Sequence, residues 1–478
     1  MAVSLASCGN TASDSTASTS SVSDAANGTT EIRSVTNENG ETVEVVSTTF
    51  KENSSGLLDT SEIFSDKDLE QSASKENAQK IEVSDGNTFT ISTGGTYIAS
   101  GTASNFTIRV EADKEDKVQI ILDGVNITND STPAIYVVSA DKCFVTTTDG
   151  SENVFKVTGS FTADGDTNTD AVVFAKDDLV FNGMGSLTIE SAEGNGITGK
   201  DDIKFTGGTY SITSALDAIE SKDSISICGG SYTINAGEDG MHSEDSDDDT
   251  KGSILIAGGT FNINAKSDGI RATTVAQFDG GTVEITASEG IESTYVQVNN
   301  GTITITATDD GVNVSQKSNS AGTPTFEMND GSLTITVSGG DVDGIDANGN
   351  VTISGGTVDI TYPGKAPCDA IDYDGTATMT DATLIINGEQ TDSIPEGSMG
   401  GGFGGFGGKK PTDGDFPSDF EGKTPPDFDG DFPADFDGEF PDFDGDFPAD
   451  FDGKTPPDGF GGGRRGTKSD TSSNSNDI

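Results

Sequence analysis

Seven times between residues 217 and 369 an acidic residue precedes Gly or Ala and then Ile, Val or Met, at Asp217, Asp239, Asp268, Glu289, Asp310, Asp343 and Asp369. Asp170 and Asn195 open the same series. Three residues beyond each, from Asn195 onward, stands a second recurring position: Thr198, Glu220, His242, Arg271, Glu292, Asn313, Asp346 and Asp372. If the repeats stack, each series becomes a column, and carboxylates a few ångströms apart repel unless a cation lies between them. Calcium suits such columns because it accepts six to eight oxygens in flexible geometry. The richest consecutive pair of repeats supplies Asp310, Asp341, Asp343, Asp346, Asp369, Asp372 and Asp374. A second candidate joins Asp217 and Glu220 to Glu238 and Asp239, and a third is the acidic insertion 244–249. The competing reading is that these Asp side chains accept backbone N–H bonds in turns. Asp164, Asp166, Asn168 and Asp170 imitate the start of an EF-hand loop but lack its Gly at the sixth position and Glu at the twelfth.

Other chemistry is sparse. The chain has one histidine, His242, and no Trp, which argues against Ser/His/Asp, Cys/His and His-ligated zinc centres. Proton abstraction beside a carboxylate needs a bound cation and a nearby Lys or Arg base. Arg271, between His242 and Glu292 in the outward series, is the strongest basic candidate, with a structural ion pair as the alternative. Lys176, Lys200 and Lys222 precede Asp177, Asp201 and Asp223, either neutralising the acids or meeting carboxylates of a ligand. Tyr295, Tyr362 and Tyr373 are candidate exposed stacking rings, whereas Tyr210 and Tyr232 have the parity of core residues.

The elements that must hold these side chains are short alternating strands. A Gly-Gly-(Ser/Thr) turn or close variant recurs at 207, 229, 258, 280, 300, 330 and 355. A period in this range marks stacked repeats, and period-2 alternation makes them strands. In Tyr210/Ile212, Tyr232/Ile234, Phe261/Ile263, Val283/Ile285, Ile303/Ile305, Leu333/Ile335 and Val358/Ile360 both residues point inward. No single repeat can bury its own apolar face, so neighbours must stack into one core. The expectation is an all-β, single-stranded, right-handed parallel β-helix.

Lys+Arg 26 against Asp+Glu 81 gives a net charge of −55, which disfavours nucleic acid and anionic membrane surfaces as partners. No stretch reaches the roughly 18 apolar residues of a membrane span. Residues 1–9 carry Leu5-Ala6-Ser7-Cys8, which resembles a bacterial lipobox and marks Cys8 for lipidation, without the charged and most of the apolar region of a signal. Residues 10–80 read as a Ser/Thr-rich tether and a loosely ordered lead-in, 81–391 as the β-helix, and 392–478 as a disordered Gly/Phe/Asp/Pro-rich tail. Strands are expected at 88–91, 96–99, 106–110 and 118–122, in irregular N-terminal coils that cap the stack. Cys143, Cys228 and Cys368 read as free thiols flanking strands.

Val118–Thr128 leading into Pro133–Lys142, then Ala171–Leu179 and the repeated Gly-Gly-Thr and Asp-Gly-Ile steps, together resemble bacterial carbohydrate-binding proteins built as a polysaccharide-lyase-like parallel β-helix. The resemblance covers roughly 81–390. It implies binding of plant cell-wall polysaccharides, cellulose and pectic polygalacturonate, with calcium held by acidic clusters. The resulting expectation is a monomeric, non-catalytic, calcium-dependent glycan-binding lipoprotein at the cell surface, touching the membrane only through its lipid. The rivals are a calcium-dependent pectate lyase and a structural adhesin or ice-binding face built on Thr304, Thr306, Thr334 and Thr336. Arg271, Tyr295 and Tyr373 are the expected ligand contacts. The metal ligands are expected among Asp310, Asp341, Asp343, Asp346, Asp369, Asp372, Asp217, Glu220 and Asp239.

Overall fold

The computed structural model describes residues 29–36 and 42–396, all within the first of two compact units, Met1–Gly404. The lipobox with Cys8, the start of the tether, and the tail from 397 lie outside the described residues.

Period-2 alternation decides the packing. The strand Thr209–Thr213 pairs in parallel with Ser231–Asn235, one repeat later, placing Tyr210 on Tyr232 and Ile212 on Ile234. The same register carries through Phe261/Ile263, Val283/Ile285, Ile303/Ile305, Leu333/Ile335 and Val358/Ile360. All these side chains are buried, and their intervening neighbours face outward. Tyr210 and Tyr232 stack at 5.3 Å between centroids, and Tyr232 and Phe261 at 4.5 Å. Each buried phenol donates to a carbonyl of its own turn, Tyr210 to Gly207 at 2.8 Å and Tyr232 to Gly229 at 2.7 Å. The hydroxyls therefore enter the core without losing a partner.

Among the described residues there are a two-stranded antiparallel sheet, a 24-stranded sheet and a 12-stranded sheet. The 24-stranded sheet carries two parallel ladders. They share the long strand Lys117–Asn129, which pairs with Lys142–Thr147 at its beginning and with Glu152–Val157 at its end. The 12-stranded sheet is a third parallel ladder, from Thr88–Ile91 to Ile371–Tyr373. Ile, Val, Leu and Phe from all three ladders fill one continuous core. At the C-terminal end Thr383–Ile386 pairs antiparallel with Glu389–Thr391, which covers an otherwise open strand edge. Cys143, Cys228 and Cys368 are buried free thiols, and burial pushes the Cys143 thiol up to about 12.

The lead-in differs from expectation. Residues 42–80 are not loosely ordered. The strand Thr42–Thr49 is followed by two single-turn helices, Thr60–Ile63 and Asp66–Leu69. The second helix begins with a reciprocal cap, in which Asp68 N–H donates to Ser65 Oγ and Ser65 N–H to Asp68 Oδ2. This arm lies on the outer face of the first ladder, where Phe64 and Leu69 cover Cys228, Leu255 and Ala257. Gln277 donates to Leu58 O at 2.9 Å and accepts from Leu58 N–H at 2.7 Å, and Thr206 Oγ1 donates to Asp68 O at 2.5 Å. The apolar residues of the arm are too few to form a core of their own. They are enough to shield apolar side chains that this ladder turns outward.

Candidate functional site

The 12-stranded sheet builds the site, because its short strands each leave one side chain outward. In register, strand after strand, that row reads Thr198, Glu220, His242, Arg271, Glu292, Asn313, Asp346 and Asp372. Neighbours in such a row are about 4.8 Å apart. The turn acids preceding these strands form the second row. Glycine follows most of them because the neighbouring coil is too close for a side chain. A Cβ on Gly269 would come within 2.3 Å of Ile285 Cγ2 and 2.7 Å of Gly290 O.

The turn row is a hydrogen-bonded ladder. Asn195 Oδ1 accepts from Asp217 N–H at 3.0 Å, Asp217 Oδ1 from Asp239 N–H at 2.9 Å, and Asp239 Oδ1 from Asp268 N–H at 2.9 Å. The pattern resumes where Asp310 Oδ1 accepts from Asp343 N–H at 2.7 Å and Asp343 Oδ1 from Asp369 N–H at 2.5 Å. Each aspartate thus caps the turn of the following repeat, not its own turn. At Asp217 and Asp239 the second carboxylate oxygen, Oδ2, faces His242 in the outward row.

Along that row the charges are balanced unevenly. In the middle, protein cations meet part of the charge, although Asp268, Glu289 and Glu292 also gather there and burial with the neighbouring acids raises Asp268 to about 8. His242 Nδ1 lies 3.1 Å from Asp217 Oδ2 and 3.7 Å from Asp239 Oδ2, and its Nε2 lies 3.2 Å from Glu244 Oε2. Burial opposes the imidazolium, yet the hydrogen bond and charge of Asp217, followed by Asp239, raise His242 to about 8. Arg271 reaches Glu292 at 3.3 Å and both Asp239 and Glu244 at 3.8 Å, while Lys317 holds the other oxygen of Glu292 at 2.5 Å. Asp217, Asp239, His242 and Arg271 border a cleft of about 510 Å³ lined also by Asp170, Asn195, Glu220 and Glu238.

Toward the C-terminus the cations stop. Among the described residues, the ion pairs of this row end with Arg271 and Lys317 on Glu292, and none reaches Asp343, Asp346 or Asp372. Oxygens of these three carboxyls lie within 4.8 Å of one another. Burial, with the charges of Asp310, Asp346 and Asp372, pushes Asp343 up to about 7. Burial likewise lifts Asp310 to about 7, and burial with Asp372 and Asp374 lifts Asp346 to about 6. An all-oxygen donor set with unbalanced charge fits calcium, whose remaining positions would be left to water or ligand oxygens.

The other sequence candidates distribute as follows. Asp310 joins the ladder above this trio, and Asp369 donates its N–H to it. Asp341 is exposed and stands outside the trio. Asp217 and Asp239 converge with His242, while Glu220 turns to Asn195 at 2.7 Å, Thr198 at 3.1 Å and Lys200 at 3.6 Å. The insertion 244–249 is tied down, since Asp249 O accepts from Ser318 at 2.5 Å and also from Ser320. The EF-hand-like stretch does not converge, because Asp164 pairs with Arg109 at 3.0 Å and Asn168 with Asp170 at 2.8 Å. Lys200 pairs with Glu220 and Lys222 with Asp245, so both neutralise acids.

Each of the three candidate tyrosines is half-buried. Tyr295 lies on the 24-stranded sheet, away from the acid rows, half-buried with its hydroxyl on Glu327 at 2.5 Å. Tyr373 and Tyr362 pack partly against the core. Two features escaped the sequence reading. Asp178, Asp201 and Asp202 form a further acidic group. Tyr136 and Phe174 extend the outward row on its N-terminal side. The second was detectable, since each follows an inward Ile or Val just as Glu220 does.

The family described as carbohydrate-binding domain-containing protein matches residues 85–296 and 289–399. The chain belongs to this family. A carbohydrate-binding domain-containing protein of Acetivibrio thermocellus is 36% identical over 120 residues, which is 25% of this chain and 42% of that relative. The chain thus spans less than half the length of that relative. A solved structure described as a polysaccharide lyase-like protein from C. thermocellum, as a gadolinium derivative, shares 32% identity over 46% of this chain and 87% of its own, with a TM-score of 0.41.

Proposed function

We propose that this protein is a non-catalytic, calcium-dependent binder of plant cell-wall polysaccharides, acidic pectic chains and cellulose among them. In this reading it is a right-handed, single-stranded parallel β-helix, monomeric and held at the cell surface through Cys8. Family membership supports the carbohydrate, and the in-register parallel ladders support the helix. The observation that carries the calcium is the trio Asp343, Asp346 and Asp372, close together and, among the described residues, without an ion pair to a protein cation. An ion bound there stabilises the column and offers open positions to uronate carboxylates. Arg271 is held by three carboxylates, which favours an ion-pair role over that of a lyase base.

Retention on immobilised polygalacturonate, measured in calcium and again in EDTA, tests this reading. Retention in calcium that is lost in EDTA supports it, and no retention in either buffer rejects it. Unsaturated products accumulating over a long incubation with calcium would move the protein to the lyases.

A further inference from the structure

The outward row does not begin with acids. Ahead of Thr198 it runs through Arg109, Tyr136 and Phe174 in register. The two rings meet edge to face at 5.6 Å. Arg109 Cζ lies 4.7 Å from the centroid of Tyr136, and Lys200 Nζ 5.6 Å from that of Phe174. Two adjacent aromatic rings offer an apolar body with a polar tip, suited to the mixed surface of a sugar. A guanidinium matches a carboxylate with paired donors; Glu111 holds Arg109 Nε at 2.5 Å, which leaves the two Nη groups for a ligand.

Loop 158–170 crosses this group. Its Asp164 sits 3.0 Å from Arg109 Nη2. It also faces the Tyr136 hydroxyl, and Arg109 together with this hydroxyl holds the Asp164 carboxyl below its ordinary range; the hydroxyl is buried and makes no other hydrogen bond among the described residues. Tyr136 is 2% exposed and Phe174 1%. The loop is tied by polar contacts, with Thr162 N–H on Ser131 O at 2.8 Å and Lys176 Nζ on Thr167 Oγ1 at 2.7 Å, and by Phe161, which packs against the core. Its last residue, Asp170, also lines the cleft of Asp217, His242 and Arg271. A chain lying along the acid row therefore runs up against the loop.

We propose that Arg109, Tyr136 and Phe174 form a subsite for a carboxylate-bearing sugar, closed by loop 158–170, with Asp164 occupying the seat of the sugar carboxylate. The proposal rests on the acidic-glycan reading above. Ligand entry displaces Asp164 from both Arg109 and the Tyr136 hydroxyl, and the sugar carboxylate takes over the two contacts. Any change that opens the loop raises apparent affinity in proportion to the open fraction.

The test uses the full chain, trigalacturonate as probe, calorimetric titration, and hydrogen exchange of 158–170. Asp164→Asn is expected to bind about tenfold more tightly and to exchange faster in the loop, because the open fraction rises. Tyr136→Phe keeps the ring and is expected to bind about threefold or more weakly, because only a hydrogen bond is lost. Asp346→Asn serves as the control for the acid row. If Asp164→Asn and Tyr136→Phe bind as the wild type does while Asp346→Asn loses binding, the subsite is overturned and the acid-row reading stands. If neither the wild type nor Asp164→Asn binds trigalacturonate, both fall.

Discussion

Asp346 and Asp372 stand directly opposite one another on adjacent parallel strands, Ile345–Ala347 and Ile371–Tyr373. Like charges in facing positions destabilise a sheet, and Asp343 adds a third carboxyl to the group. Calcium addition is therefore expected to raise the melting temperature of the wild type. In Asp346→Asn the metal-free protein should melt higher than the metal-free wild type, with little further gain on adding calcium. Scanning calorimetry in EDTA and in calcium checks both. A calcium-induced gain in the variant equal to that of the wild type would remove Asp346 from the site.

The same carboxyls set a pH dependence of unusual sign. Asp310 and Asp343 are raised to about 7 and Asp346 to about 6, chiefly by burial. Unfolded aspartates titrate near 3.9. Between these limits the folded chain holds more protons than the unfolded chain, so stability falls as pH rises. Metal-free protein is expected to be more stable at pH 5 than at pH 8. Saturating calcium should flatten the slope, because the ion favours the ionised form. Melting curves across this range, with and without calcium, read the effect directly.

How much of this was legible beforehand depends on whether local pattern or distant contact decides. The inward pairs from Tyr210/Ile212 to Val358/Ile360 and the whole row from Thr198 to Asp372 follow from strand periodicity alone, and they stack as the repeats imply. The docking of Phe64 and Leu69 on Leu255 does not, since it joins residues almost 200 positions apart and depends on which outward side chains are apolar. The contrast between the acids that meet His242, Arg271 and Lys317 and the trio Asp343, Asp346 and Asp372, to which no ion pair runs among the described residues, also needed side-chain geometry. Spacing places charges in columns but does not say which oxygen faces which cation.

Tight stacking makes the small residue after each turn acid a sharp test of the fold. A Cβ at Gly269 would sit within 2.3 Å of Ile285, so Gly269→Ala must push neighbouring coils apart, at a cost of about 1–3 kcal/mol. At Gly340 nothing lies within 4 Å of the added carbon, and Gly340→Ala is expected to be neutral or slightly stabilising. Paired denaturant titrations compare the two. Equal midpoints would mean that the coils are more loosely packed than this register requires.

Arg271 separates binding from stability. Its guanidinium lies within 4 Å of Asp239, Glu244 and Glu292, and it is partly buried, so Arg271→Gln removes the shared counter-charge of three acids. Breaking a buried pair costs about 3–5 kcal/mol; here the 35% exposure of the side chain calls for a smaller loss, about 1–3 kcal/mol after screening by solvent. If Arg271 is an ion-pair residue, the variant melts lower but keeps its calcium-dependent retention on polygalacturonate at temperatures where it is folded. If it contacts the glycan, retention falls while the melting point hardly moves. Measuring both on one preparation tells the two roles apart. The loss of stability should also shrink when Glu292 is changed to Gln in the same chain, because neighbouring charges in one network do not add independently.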